Sequence, residues 1–129
     1  MGHLYNFALS LSTEGRRALR KREGLSGYYE TSLPDMTPDQ VEAAFDLAVR
    51  SSERAVQRQV RHHPLTQAQF DALVSYTYNL GTGGAMMVLR RIDVGDLDGA
   101  ADAMLRQQLA PAGLAARRQE ESAPFRHGA

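Results

Sequence analysis

The chain has 129 residues, 43% apolar and 23% charged, and its 15 basic and 15 acidic side chains balance to a formal charge of zero. That length and composition suit a soluble globular domain with one real core, or two small lobes sharing a helix; they do not suit a dedicated nucleic-acid binder, which needs a basic excess or a basic face. Cysteine is absent, which excludes a disulfide framework, a thiolate nucleophile and a cysteine-based zinc site.

Met1 to Leu11 (MGHLYNFALSL) is mildly apolar, with neither a basic start nor a clear cleavage site, and makes a poor signal peptide. No apolar run reaches membrane-spanning length, so no stable membrane insertion is expected. Lys21 is the one lysine. Nearly all positive charge is therefore arginine, from a biased genome or from a demand for planar anion partners.

Ser12 or Thr13 can cap a first helix running to about Arg22, with Glu14 near its positive end and Leu11, Ala18 and Leu19 as a narrow apolar face. Gly24 is placed to end it. The stretch GLSGYYETSLPDM then reads as irregular. Thr37-Pro38-Asp39-Gln40 is a helix start with a capping box and proline at the first helical position. Val41, Ala44, Phe45, Ala48, Ser52, Ala55, Val56 and Val60 follow at helical spacing, giving a long helix over about 38–61 that ends before Pro64.

Thr66 to Gln69 repeats the capping box. Phe70, Leu73, Val74, Thr77 and Tyr78 continue a helix that is apolar on several sides, hence central, and Gly81 stops it. Thr82-Gly83-Gly84 reads as a turn before a short helix at about Ala85 to Arg91. Gly95 and Asp96 break and recap the chain before a helix through Ala100, Ala101, Met104 and Leu105. Leu114 to Glu121 forms the last helix. No run alternates convincingly, so no sizeable sheet is expected.

Taken singly, the charged constellations read as ordinary. Glu23 sits at a helix C-terminus, where the dipole disfavours an acid, and reads as an exposed carboxylate. His62-His63 reads as a helix-end pair rather than a metal site, since adjacent residues diverge on a helix and no third ligand stands at a helpful spacing. Arg117-Arg118 with Glu120-Glu121 reads as a solvated face. Tyr76 and Tyr78 read as core or cleft-wall residues. Gly81-Thr-Gly-Gly is no phosphate loop, because no Gly-Lys-Ser/Thr follows.

Taken in order, three segments resemble the phage-type lysozymes, or endolysins, the muramidases that cut peptidoglycan. Gly15-Arg-Arg-Ala-Leu-Arg-Lys-Arg-Glu23-Gly24 is similar to the family's opening helix, which ends in a catalytic Glu-Gly. Pro64-Leu-Thr-Gln-Ala-Gln-Phe-Asp-Ala-Leu-Val-Ser-Tyr-Thr-Tyr-Asn-Leu-Gly81 resembles its central helix. Gly113-Leu114, Arg117-Arg118 and Glu121 resemble its closing helix. The resemblance implies a mainly α, lysozyme-like fold: an N-terminal helix and reduced small lobe over about 1–37, a linking helix over about 38–61 and a helical lobe over about 64–126, all one domain.

The chain departs from the family where a Gly- and Thr-rich hairpin carries an aspartate and a threonine. At the corresponding distances from Glu23 stand Ser32 and Pro38, and the hairpin is missing or shortened after Tyr28-Tyr29-Glu30. Asp35 and Thr37 lie nearby, but Thr37 is engaged as a helix cap and Asp35 sits just before it. A second shortening falls near Gln107-Gln108.

By the same resemblance, Glu23 is the general acid for hydrolysis of the β-1,4 bond between N-acetylmuramic acid and N-acetylglucosamine, with inversion, which requires room for a water between acid and base. Such an acid must hold its proton near neutral pH, so Arg117 or Arg118 would have to orient Glu23 without fully stabilising its charge. Tyr78 and Asn79 match cleft-lining positions that contact glycan, and Tyr28 stacks on sugar or braces the hairpin. No metal or organic cofactor is implied. The expected partner is bacterial peptidoglycan, met by a monomer made in the cytoplasm and acting on the wall after release. A chain with half of its catalytic pair gone is expected to hydrolyse little. The alternative is an inactive lysozyme-like module that binds cell-wall glycan or a protein through the old cleft.

Overall fold

The computed structural model describes residues 5–24, 36–106 and 112–126. In chain order its elements are a 3-10 turn (Tyr5–Ala8), α1 (Thr13–Arg22), α2 (Pro38–Gln59), α3 (Gln67–Asp93), α4 (Leu97–Arg106), α5 (Ala112–Ser122) and a closing 3-10 turn (Ala123–Phe125). No strand occurs among the described residues, and the mainly α class expected from the sequence is the one observed. The segments expected to be shortened, after Glu30 and near Gln107, lie outside the described residues.

The helix starts follow the local chemistry. Thr37 Oγ1 accepts from the Gln40 amide at 3.1 Å, while the Gln40 side chain accepts from the Thr37 amide at 2.9 Å. Thr66 and Gln69 repeat the exchange at 3.1 and 3.0 Å. Each reciprocal pair satisfies two amides that a helix start leaves without partners. For α1 the cap is Ser12, whose hydroxyl accepts from the Gly15 amide at 2.9 Å. That hydroxyl also bonds Asp71 of α3, and the Ser12 amide donates to the same carboxylate at 3.0 Å. The two helices approach so closely here that a Cβ on Gly15 would lie 2.6 Å from Asp71 Cγ. Gly24, at φ +68°, ends α1 with its amide on the Lys21 carbonyl.

The buried seam of α2 is Val41, Phe45, Val49, Ser52, Ala55 and Val56, continued by Val60 at its C-cap. The expected face included Ala44 and Ala48; Ala44 is exposed and Ala48 half-buried. Once Phe45 is inside, the position four on, Val49, shares its face and the alanines turn outward. On α3, Phe70 and every residue from Ala72 to Thr77 are buried, which makes its first half central as expected.

The second half of α3 corrects the sequence reading. Gly81, at φ +79° and ψ +164°, does interrupt the helix as expected, so that α3 is two helical segments meeting at this residue, but Thr82-Gly83-Gly84 is helix rather than turn, and the second segment runs to Asp93. A glycine costs a helix about 1 kcal/mol, whereas each large apolar side chain withdrawn from water contributes about 1.5–3 kcal/mol. Val88, Leu89 and Ile92 are all buried, so packing outweighs the local penalty. Asp96 then caps α4, accepting from the Gly99 amide at 3.0 Å.

The main core joins Val56 of α2 and Val60 at its C-cap with Phe70, Leu73, Val74, Tyr76, Val88, Leu89 and Ile92 of α3, Ala100 and Met104 of α4, and Phe125. A smaller cluster of Leu19, Phe45 and Val49 lies between α1 and α2, with Leu11 and Tyr78 against it. The N-terminal segment is fastened to this body. Asn6 is buried, its amide donating to the Val60 and His63 carbonyls at 2.9 and 2.8 Å and its carbonyl accepting from the Leu65 amide at 2.9 Å. One side chain thereby satisfies three backbone groups of the α2–α3 connection.

Candidate active site

Glu23 is the C-cap of α1, its amide on the Leu19 carbonyl at 2.9 Å. Its side chain is 22% exposed, and Oε2 lies 2.7 Å from Arg117 Nη1. The bland reading of an exposed, dipole-disfavoured acid is therefore incorrect: the end of α1 is delivered against α5, and a guanidinium offsets what the dipole costs. Arg117 spends its other donors inward. Nε donates to Glu121 Oε2 at 2.9 Å and Nη2 to the Ser75 carbonyl at 3.0 Å.

Beneath Arg117 is a buried polar network. Ser75 Oγ donates to Glu121 Oε2 at 2.5 Å and accepts from Arg22 Nη1 at 3.0 Å. Arg118 Nη1 donates to Glu121 Oε1 at 2.5 Å, and Nη2 donates to Asn79 Oδ1. The Arg118 guanidinium also lies over the Tyr76 ring, 5.0 Å from its centroid. Arg118 and Glu121 are fully buried and Arg117 nearly so, so the expected solvated face of α5 is overturned. Glu120 alone of that run points outward, paired with Arg22 at 3.0 Å. Burial pushes the Tyr76 phenol up to about 12, against the pull of Arg118.

The remaining candidates divide. Tyr78 is half-buried, its ring centroid 5.6 Å from that of Phe45. Burial raises its phenol above the ordinary tyrosine value, the Glu23 carboxylate adds to this and Arg117 opposes it. The phenol is thus a neutral hydrogen-bond donor beside Glu23. Asn79 has its carbonyl committed to Arg118, which leaves its amide nitrogen to donate to a ligand. Arg118 supports Asn79 and Glu121 rather than Glu23. Tyr28 lies outside the described residues. His62 bonds Asp93 at 3.1 Å, and no group of three or more potential metal ligands occurs among the described residues.

The family model of the phage lysozymes matches residues 14–121, from the first turn of α1 to the glutamate at the centre of this network. The chain belongs to the phage lysozyme family. Among solved structures, the muramidase domain of SpmX from Asticaccaulis excentricus is similar, at 29% identity and a TM-score of 0.72, over 90% of this chain and 97% of that one. No curated protein matches.

Within this phage lysozyme frame, sequence reasoning overlooked Ser75 and Arg22 and gave Glu121 no role. Ser75 had a signal, being a lone small hydroxyl in the buried run Ala72 to Tyr76. Arg22 had none, because its partners lie 53 and 98 residues away.

Proposed function

We propose that this chain acts on bacterial peptidoglycan as a muramidase, hydrolysing the β-1,4 bond between N-acetylmuramic acid and N-acetylglucosamine with Glu23 as general acid. The observation that carries the reading is the position of the Glu23 carboxylate. It stands at the end of α1, one oxygen held by Arg117 and the side chain partly open, with the neutral phenol of Tyr78 close by. In the reaction, Glu23 gives its proton to the glycosidic oxygen as the C1–O bond breaks. Water adds to C1 from the opposite face and loses its proton to a second carboxylate. Arg117 receives the Glu23 carboxylate left behind, and Tyr78 and Asn79 donate to the glycan.

Inversion places the two carboxyl groups about 6.5–9.5 Å apart. Glu120 and Glu121 are engaged by Arg22 and by Arg117 and Arg118. The next acids after Glu23 in the sequence are Glu30 and Asp35, in the segment where the family carries its aspartate, and this reading draws its base from them. On purified peptidoglycan the wild-type chain is expected to release reducing ends and Glu23→Gln to release none, with circular dichroism unchanged. Equal turnover by the two proteins overturns the assignment.

A second reading, a glycan- or protein-binding module without turnover, is favoured by one observation: Glu23 is held as half of an ion pair with Arg117. A general acid must present a carboxyl oxygen to the leaving oxygen, and Oε2 of Glu23 is already taken up by Arg117. Sedimentation with peptidoglycan without release of reducing ends selects this reading.

A further inference from the structure

On α2, Arg50, Arg54 and Arg58 follow one another at four-residue steps, all exposed. With Leu47 and Ser51 they line an open groove of about 680 Å³. Four residues of helix advance about 6 Å, so the three guanidinium stems form a row about 12 Å long. None of the three has a hydrogen-bond or ion-pair partner among the described residues. Three of the four acids of the same helix are occupied on another flank: Glu42 and Asp46 hold Arg16 and Arg20, and Glu53 accepts from the Leu11 amide, while Asp39 lies in the first turn, away from the three arginines. A chain of zero net charge thus carries a local cationic stripe. Arg58, in the last turn, has a structural reason in the helix dipole. Arg50 and Arg54, in mid-helix, have none.

We propose that this outer face of α2 docks on an anionic lipid bilayer, the arginines taking headgroup phosphates and Leu47 entering the interfacial layer. Guanidinium forks bind phosphate oxygens two at a time. Stems spaced along one exposed helix face can each reach a phosphate of an extended headgroup layer. Leu47 decides between a bilayer and a soluble polyanion: it is 66% exposed in the same groove, is of no use to a soluble polymer, and gains by leaving water at a membrane surface. No helix among the described residues is long and apolar enough to cross a membrane, so the attachment is peripheral, reversible and sensitive to salt.

The test is co-sedimentation of the full chain with vesicles of phosphatidylglycerol and phosphatidylcholine, with vesicles of phosphatidylcholine alone, and a parallel binding measurement with soluble polyphosphate. Each arginine near an anionic leaflet strengthens binding roughly fivefold, so R50Q/R54Q/R58Q lowers partitioning onto the anionic vesicles about a hundredfold. The corresponding triple lysine variant keeps most of it. Glutamine and lysine are both good helix formers, and circular dichroism verifies that each variant is folded. Leu47→Ser weakens vesicle binding several-fold and leaves any polyphosphate binding unchanged. The proposal is overturned if the wild-type chain ignores anionic vesicles, binds neutral ones equally, or binds polyphosphate alone. It is also overturned if the glutamine variant or Leu47→Ser sediments like wild type.

Discussion

Both carboxylate oxygens of Glu121 are engaged, Oε2 by Arg117 and Ser75 and Oε1 by Arg118. Neutralising that one side chain strands the buried Arg118 guanidinium and leaves Arg117 with Glu23 as its one remaining carboxylate, in a medium that penalises unpaired charge. Breaking a buried pair costs about 3–5 kcal/mol, a large part of a domain's total of about 5–15 kcal/mol. Glu121→Gln is therefore expected to lower the urea midpoint severely, whereas Ser75→Ala, which removes a hydroxyl and leaves the ion pairs, costs about 1 kcal/mol. Similar midpoints for the two variants would refute this apportioning. Positions 117, 118 and 121 fall on one helix face, and that much was legible in the sequence. Their burial was not, because a charged run is solvated unless distant residues close over it. Here the closing residues are Glu23 and Ser75, 94 and 42 positions from Arg117.

At the scale of the helices, the starts were the most legible feature, because a capping box is written in four consecutive residues. Ends and breaks were less so. Gly81 does stop one helix, as read, but the next begins at once, without the expected turn over Thr82 to Gly84. Its backbone, at φ +79° and ψ +164°, lies in a region that only glycine visits readily, and a side chain there costs about 1–3 kcal/mol in backbone strain. A Cβ at Gly81 would meet nothing within 4 Å, so sterics add no further penalty. Gly81→Ala is expected to lower stability by that amount in urea unfolding. Gly83→Ala, at a helical glycine with equally open surroundings, is expected to raise it by up to about 1 kcal/mol. Opposite signs for two glycines two residues apart would separate the break from the helix around it. The same dependence on packing explains the seam of α2. Helical spacing placed Phe45, Val56 and Val60 inside correctly, but choosing Val49 over Ala48 required knowing which way Phe45 faces.

For the molecule as a whole, the zero formal charge in the sequence gave no hint of how the charges are distributed. Several acids, among them Glu42, Asp46, Glu53, Asp93 and Glu121, are engaged in ion pairs or backbone anchors, and this sets the response to pH. At Asp93, burial would raise the carboxyl. The His62 amide and ring and the Arg61 amide outweigh it and hold the carboxyl below the ordinary aspartate value. Glu42 is likewise lowered, first by its hydrogen bond from Arg20. A carboxyl depressed in the folded state binds protons more readily when unfolded. Its contribution is therefore complete above the unfolded value, about 4 for either acid, and is lost as pH falls through the lower folded value. Asp93, 22% exposed, is shielded better than Glu42, 41% exposed, whose ion pairs solvent screens. Asp93 also ties the start of the α2–α3 connection to the end of α3, with the Arg61 and His62 amides at 2.7 and 2.8 Å. The urea midpoint is accordingly expected to be flat from about pH 7 down to pH 5 and to fall between about pH 4 and pH 2. Asp93→Asn should lower the midpoint at pH 7 and narrow the gap between pH 7 and pH 3. Glu42→Gln should narrow that gap less. An Asp93→Asn variant with the wild-type gap would mean that acid sensitivity is seated elsewhere in the chain.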